Sequence, residues 1–469
     1  MTKISEIKKP INPCEEQSPQ EKPTTKNPVS IPATEVHEAL ARHMLVDVFD
    51  LVLDLKKSQG SYIHDSRYNK KFLDFFTFFA SGSIGLNHPK MTTPELLEKL
   101  SRVAVNKPSN SDVYSVEMAE FVETFNRLAM FDYFKYVFFV EGGALAVENA
   151  LKTAFDWKVR KNFIKGHLDE KGQQVIHFRD AFHGRSGYTL SLTNTDPTKI
   201  YYFPKFKWPR IHNPAIRFPL NEQNLEKVIQ EEKLALNQIK HTIHQHGDDI
   251  AALIIEPIQC EGGDNHFRKE FLVELRTICD ENEILLIFDE VQVGVGITGK
   301  MWAHQHFVKP DLMSFGKKTQ VCGFMSTDRI DDVLEHVFRK PSRINSTFGG
   351  NLVDMVRFKR ILEIIEEDNL IENARIVGEY MLTHLHKLEE EFPEVVSNAR
   401  GRGLLCAIDL DSSQSRDQLK QKAYDEGLIL IGCGDRTIRF RPPLTIKESE
   451  IDEGMTIIKK ALKEIVAGE

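Results

Sequence analysis

Two residues of opposite charge stand where short apolar runs end. The run ILLIFDEVQ, residues 284–292, carries Asp289 at its polar end, and DLMSF leads into Gly316, Lys317 and Lys318. In an open α/β sheet ligands lie beyond the carboxyl ends of the strands, so both side chains would face whatever binds there. An amine and a carboxylate so placed suit pyridoxal phosphate. The lysine can join the cofactor aldehyde as a Schiff base, and the acid can keep the pyridine nitrogen protonated so that the ring draws electrons. Each residue also has an ordinary reading, because an Asp after a strand often caps a turn and a Lys-Lys pair is commonly solvated surface.

Further residues bear on the choice. Gly142 and Gly143 follow the apolar run VFFV and open a helical stretch, where free backbone amides attract phosphate; Gly143 and Ala144 are the amides in question, and a tight turn explains the glycines equally well. Phe182-His183-Gly184-Arg185 places an aromatic face and a two-pronged cation on the loop after QVIHF, suited to a planar ring and a carboxylate, or else to a core and a surface salt bridge. A competing pattern, Gly294 to Lys300, fits both GxGxxG and part of a Walker loop. Met301 occupies the position of the magnesium-binding hydroxyl, and no long helical pattern follows, so a loop without nucleotide is the better reading. His244, His246, His304 and His306 lack carboxylates at metal spacing.

The elements that must hold these residues read as follows. A chain of 469 residues, 41% hydrophobic, supports a large domain plus a smaller one. Short apolar strands at 137–140, 174–178, 251–257, 284–290 and 311–316, with a helix from Ala144, predict an α/β fold around a mostly parallel, helix-covered sheet. A hairpin is expected in GSYIHDSRYNKKFLDFFTF. After Asn351, long amphipathic helices and the strands GLLCAIDL, LILIGCG and TIRFRPPL predict a second, α+β domain. The expected divisions are a mobile polar tail over 1–34, a leading segment of the small domain over 35–90, the large domain over 91–350 and the small domain over 351–469.

Composition narrows the function classes. A net charge of -8 and a pI of about 6.1, with no basic stripe, argue against nucleic acid as a partner. No apolar run reaches the length of a membrane span, and the polar amino terminus lacks a secretory apolar core. Six cysteines without CxxC spacing indicate neither a zinc site nor a disulfide framework, which fits a cytoplasmic protein.

FFVEGGALAVENALKTAFDWK, AFHGRSGYTLSLTNT, EPIQCEGGDNHF, FDEVQ, SFGKKTQVCG, NSTFGGN and IRFRPPLT occur in this order. Together, over about residues 35–465, they resemble the class III, fold type I aminotransferases and, within them, the L-lysine 6-transaminases. The resemblance implies a fold type I transferase with a seven-stranded-type sheet, dependent on pyridoxal 5'-phosphate. It implies transfer of the ε-amino group of L-lysine to 2-oxoglutarate, in a homodimer with shared sites. Another ω-aminotransferase, using 4-aminobutyrate or ornithine, is the alternative.

By position, the resemblance makes Lys317 the Schiff-base lysine, with Lys318 its rival, and Asp289 the partner of the ring nitrogen. Gln292 meets the ring hydroxyl, Gly143 and Ala144 the phosphate, and Phe182 the ring face. Ala144 stands where relatives often carry Ser. Thr347 is the phosphate ligand given by the other subunit. Arg185 would hold the distal carboxylate of lysine, while Glu261 covers Arg439 and swings aside for the α-carboxylate of 2-oxoglutarate; Arg441 is the competitor of Arg439.

Overall fold

The structure is a computed structural model that describes residues 29–47 and 49–468. Residues 1–28 of the expected tail, and Cys14 with them, lie outside the described residues.

The described chain separates into two units. The smaller comprises residues up to Ser58 together with Ile63–Lys71. It carries the short helix Val36–Ala41 and is tied by Arg67, whose guanidinium donates to the Asp50 carboxylate at 2.7 Å, and by Asp65, which accepts the Val52 amide at 2.8 Å.

The larger unit takes Gln59–Tyr62 and the chain from Phe72 onward. At its centre is a seven-stranded sheet in the order Phe134–Val140, Cys322–Thr327, Leu312–Phe315, Leu285–Asp289, Ile250–Ile255, Gln174–Phe178, Arg210–Ile211. Cys322–Thr327 runs antiparallel to both neighbours and the other strands share one direction. Every residue of Ile250–Ile255, Leu285–Asp289 and Leu312–Phe315 is buried, as a sheet covered on both faces requires. Side-chain alternation shows the two layers directly. Leu286 and Phe288 belong to one hydrophobic cluster, while Leu285 and Ile287 belong to another with the helix residues Leu151, Ala154 and Trp157.

Two strands of this sheet escaped the sequence reading. Cys322–Thr327 reads CGFMST, with small and hydroxylated residues in place of a continuous apolar run, and Arg210–Ile211 is too short to show a pattern. LILIGCG, expected as one strand, forms two. Leu428 and Ile429 pair in parallel with Leu73 and Asp74, whereas Ile431–Cys433 joins the antiparallel sheet Val396–Arg402, Leu405–Leu410, Thr437–Phe440. Leu430 alone separates them. Helices Leu352–Glu367, Leu370–Glu391, Ser413–Asp425 and Glu448–Ala467 accompany these strands. Residues 291–302 of the glycine-bearing loop make turns, and only the short 3-10 helix Ala303–His306 follows. Gly294 lies so close to the Trp302 indole that a Cβ would stand 2.4 Å from it, which makes that loop a packed support.

Candidate active site

Asp289 ends its strand with a buried side chain. One carboxylate oxygen accepts the Val291 amide at 3.1 Å and the other accepts Nδ1–H of His183 at 2.7 Å. His183 is itself buried, and its Nε2 has no partner among the described residues. On the neighbouring strand Ile255 is in register with Phe288, which places Glu256 at the same level of the sheet. Glu256 accepts the amides of Phe182 at 2.9 Å and Cys260 at 3.2 Å. Burial pushes its carboxyl up to about 7, against the pull of His183. The loop that carries Phe182 and His183 is therefore tied to the ends of two central strands.

Lys317 follows Gly316 at the end of Leu312–Phe315 in a left-handed conformation, φ +54°. Its Nζ donates to the Phe79 carbonyl at 3.1 Å. Burial, and next the Arg439 guanidinium, push this amine down to about 8, where a substantial fraction is neutral at mildly alkaline pH. Phe79 belongs to an unusual turn in which Thr77, Phe78, Phe79 and Ala80 all have positive φ, 43°, 52°, 56° and 68°. Lys318 has other partners. It is buried, and its Nζ donates to the Gln292 carbonyl at 3.2 Å. Burial, and then Arg441, hold it well below the ordinary lysine range.

The glycines form a cradle. Gly142, φ +99°, caps helix Gly143–Ile164, whose first amides have no partner within the helix. A Cβ on Gly143 would stand 3.0 Å from Val291, and one on Gly184 would stand 2.6 Å from the Ala144 Cβ. Gly316 brings its strand end against the same place, with the Gly143 Cα only 3.5 Å from where its own Cβ would be. A helix start with free amides, an amine and a buried carboxylate thus stand at neighbouring strand ends, a donor set that suits a phosphorylated pyridine aldehyde.

Arg439 and Arg441 have separate partners. Arg441 is buried and bound to Asp264 at 2.5 Å, and it also donates to the carbonyls of Phe440 and Cys406. Arg439, equally buried, donates to Glu261 at 3.3 Å and to the side-chain oxygen of Gln292 at 3.4 Å. The other oxygen of Glu261 accepts from Lys199 at 2.5 Å. Burial opposes ionisation of Glu261, but Arg439 and then Lys199 outweigh it and hold the carboxyl below its usual range. Arg185 and Thr347 are both exposed, and neither side chain hydrogen-bonds to these groups among the described residues; Arg185 lies near Asp196, whose carboxyl it helps to lower.

Arg439 is bonded to Glu261 and Gln292, Asp289 to the His183 that follows Phe182, and Gly143 and Ala144 lie close to Gly316, which precedes Lys317, and to Gly184. His183, Glu256 and Lys199 were not singled out from sequence. Glu256 had a visible signal, since it follows AALII as Asp289 follows LLIF. Lys199 had none. Among the described residues no group of side chains could hold a metal ion, and no helix is long and apolar enough to cross a membrane.

The chain is similar to known proteins over most of its length. Residues 45–462 match the model of the family described as aminotransferase class-III. The L-lysine-epsilon aminotransferase of Mycobacterium tuberculosis is 52% identical over 429 residues, covering 91% of this chain and 95% of that protein. The protein of the same name from Amycolatopsis lactamdurans is 47% identical, covering 94% and 98%. A solved structure, lysine aminotransferase from M. tuberculosis in the internal aldimine form, superposes with a TM-score of 0.90 at 51% identity, covering 92% of this chain and 99% of that one.

Proposed function

Because the chain belongs to the class-III aminotransferase family, we propose that it transfers the ε-amino group of L-lysine to 2-oxoglutarate, giving 2-aminoadipate 6-semialdehyde and L-glutamate. One observation carries the choice of donor. The guanidinium of Arg439 is already taken by Glu261 and Gln292. A pocket with that cation covered suits an amine whose own carboxylate lies far from the reacting carbon, and L-lysine reacting at its ε-amine is such a donor.

The cofactor is pyridoxal 5'-phosphate, which when bound supplies an aldehyde for capturing amino groups and a ring that withdraws electrons from the reacting carbon. Amides of Gly143 and Ala144 would hold its phosphate, with Thr347 of the partner subunit beside them. Phe182 would cover one face of the ring, and Gln292 would meet its hydroxyl. Asp289, fixed by His183 and the Val291 amide, would hold the ring nitrogen in its protonated form.

Lys317 has two tasks. Its amine would hold the cofactor at rest and, once free, would move a proton at the ε-carbon of the donor. An amine held near 8 is suited to both directions of transfer. Arg185 would grip the remote α-carboxylate of lysine. For the acceptor, Glu261 leaves Arg439, which then binds the α-carboxylate of 2-oxoglutarate. Leaving Arg439 buried and unpaired during the lysine phase would be costly, so the carboxylate that covers it has an electrostatic purpose. The enzyme would work as a cytoplasmic homodimer in which each subunit completes the other's pocket.

An absorbance scan of the purified, cofactor-loaded protein before and after L-lysine tests this reading. Loss of the visible band with L-lysine, and consumption of 2-oxoglutarate faster with L-lysine than with ornithine or 4-aminobutyrate, is the expected result. A colourless protein, or a band that answers only to the other amines, overturns it.

A further inference from the structure

Glu261 is held by two cations at once, and the shorter contact is not the one to Arg439. Oε1 lies 2.5 Å from Nζ of Lys199, while Oε2 lies 3.3 Å from Nη2 of Arg439. The geometry points to Lys199 as a positioning residue for acceptor binding: it retains the Glu261 carboxylate when that carboxylate leaves Arg439, so that the arginine is freed for a dicarboxylate. This inference rests on the proposed exchange between Glu261 and the acceptor.

The surroundings fit a side chain that turns on a fixed backbone. The carbonyl of Glu261 accepts the Gly434 amide at 2.9 Å, and Gly262 runs so close to the Asp180 carbonyl that a Cβ would stand 2.0 Å from its oxygen. Only the side chain of Glu261 is therefore free to move. Lys199 and Glu261 both line a cavity of about 440 Å³, together with Arg416, Lys420 and Gly432–Asp435. Lys199 is itself well placed. It ends the 3-10 turn Pro197–Lys199, whose start is capped by the Asp196 carboxylate on the Thr198 amide at 2.8 Å, and its ammonium lies 5.7 Å from the centre of the Phe182 ring.

The physical reason for a second cation is the state that follows opening. A partly buried carboxylate that loses its only charged partner bears the full cost of desolvation. With Lys199 in place, leaving Arg439 exchanges two partners for one. Arg439 meanwhile keeps its contact to Gln292, so it stays oriented for the incoming carboxylate. Without Lys199, Glu261 would have Arg439 as its nearest cation, and the closed pair would be harder to part.

The test compares cofactor-loaded wild type with Lys199→Met and Lys199→Arg. Glutarate, a dicarboxylate without a carbonyl to react, reports acceptor-side binding independently of turnover. We expect Lys199→Met to weaken glutarate binding about ten-fold or more, the scale of one charged hydrogen bond, and to lower the ratio of kcat/KM for 2-oxoglutarate to that for L-lysine by a similar factor. Lys199→Arg restores both. In the Glu261→Ala background Lys199→Met has no further effect, since the two residues act through one interaction.

Equal losses for donor and acceptor, or unchanged glutarate binding, overturn the inference. A ten-fold loss that persists without Glu261 also overturns it and makes Lys199 a direct ligand of the dicarboxylate. Failure of wild type to use L-lysine would instead sink the proposed donor, and glutarate binding would still decide the role of Lys199.

Discussion

Oε2 of Glu261 stands 3.3 Å from Nη2 of Arg439, and the arginine is almost wholly shielded from water while the carboxylate keeps partial access to it. That asymmetry identifies the member of the pair that can leave. Replacing Glu261 with Ala uncovers Arg439 permanently, so donors that carry an α-carboxylate beside the reacting amine gain access. L-glutamate turnover should rise in Glu261→Ala relative to L-lysine turnover in steady-state assays. No gain with L-glutamate would remove Glu261 from this role.

The adjacent lysines should separate cleanly. Lys317→Ala should abolish both the visible absorbance of the loaded enzyme and its turnover. Lys318→Ala should keep both, yet melt at lower temperature, because the Gln292 carbonyl loses its donor and an unsatisfied buried acceptor costs about 1–3 kcal/mol. A colourless Lys318→Ala protein beside a yellow Lys317→Ala protein would move the anchor by one residue.

Arg185→Ala should act on the donor. A charged hydrogen bond is worth about 1.5–3 kcal/mol, so kcat/KM for L-lysine should fall by about ten-fold or more while glutarate binding changes little. Unchanged lysine kinetics would take Arg185 out of the site.

Glu256 makes a prediction about stability. Its carboxyl is raised to about 7 by burial, above the ordinary 4.5, so the folded state holds a proton that the unfolded state has released between those values. Its contribution is fully present below 4.5 and is lost as pH rises through 7. Glu256→Gln keeps a neutral side chain at every pH. The stability of wild type relative to this variant, read from denaturant midpoints, should decline from pH 4.5 to 7.5; a flat difference would show that Glu256 ionises normally.

How much of this was legible depends on how local the cause was. Ile250–Ile255 and Leu285–Asp289 announced themselves as central strands because continuous burial demands continuous apolar sequence. Cys322–Thr327 did not, because its small and hydroxylated residues break the apolar run although it pairs with both Leu312–Phe315 and Phe134–Val140. Arg439 and Arg441 are two apart, so strand periodicity gives them the same face and cannot rank them. Their acids separate them, Glu261 for one and Asp264 for the other, and that pairing exists only after folding. Lys199 lies in a polar turn of ordinary composition and matters only because Glu261 arrives beside it.

The backbone at Thr77–Ala80 sets a limit on redesign of this pocket. Left-handed geometry costs an L-residue about 1–2 kcal/mol, so four in succession behave like a wound spring beside the resting amine of Lys317. Glycine at Phe78 or Phe79 would slacken it and β-branched residues would overtighten it. Libraries aimed at the placement of that amine therefore have a lever outside the catalytic side chains, in the handedness of the carbonyl's own support.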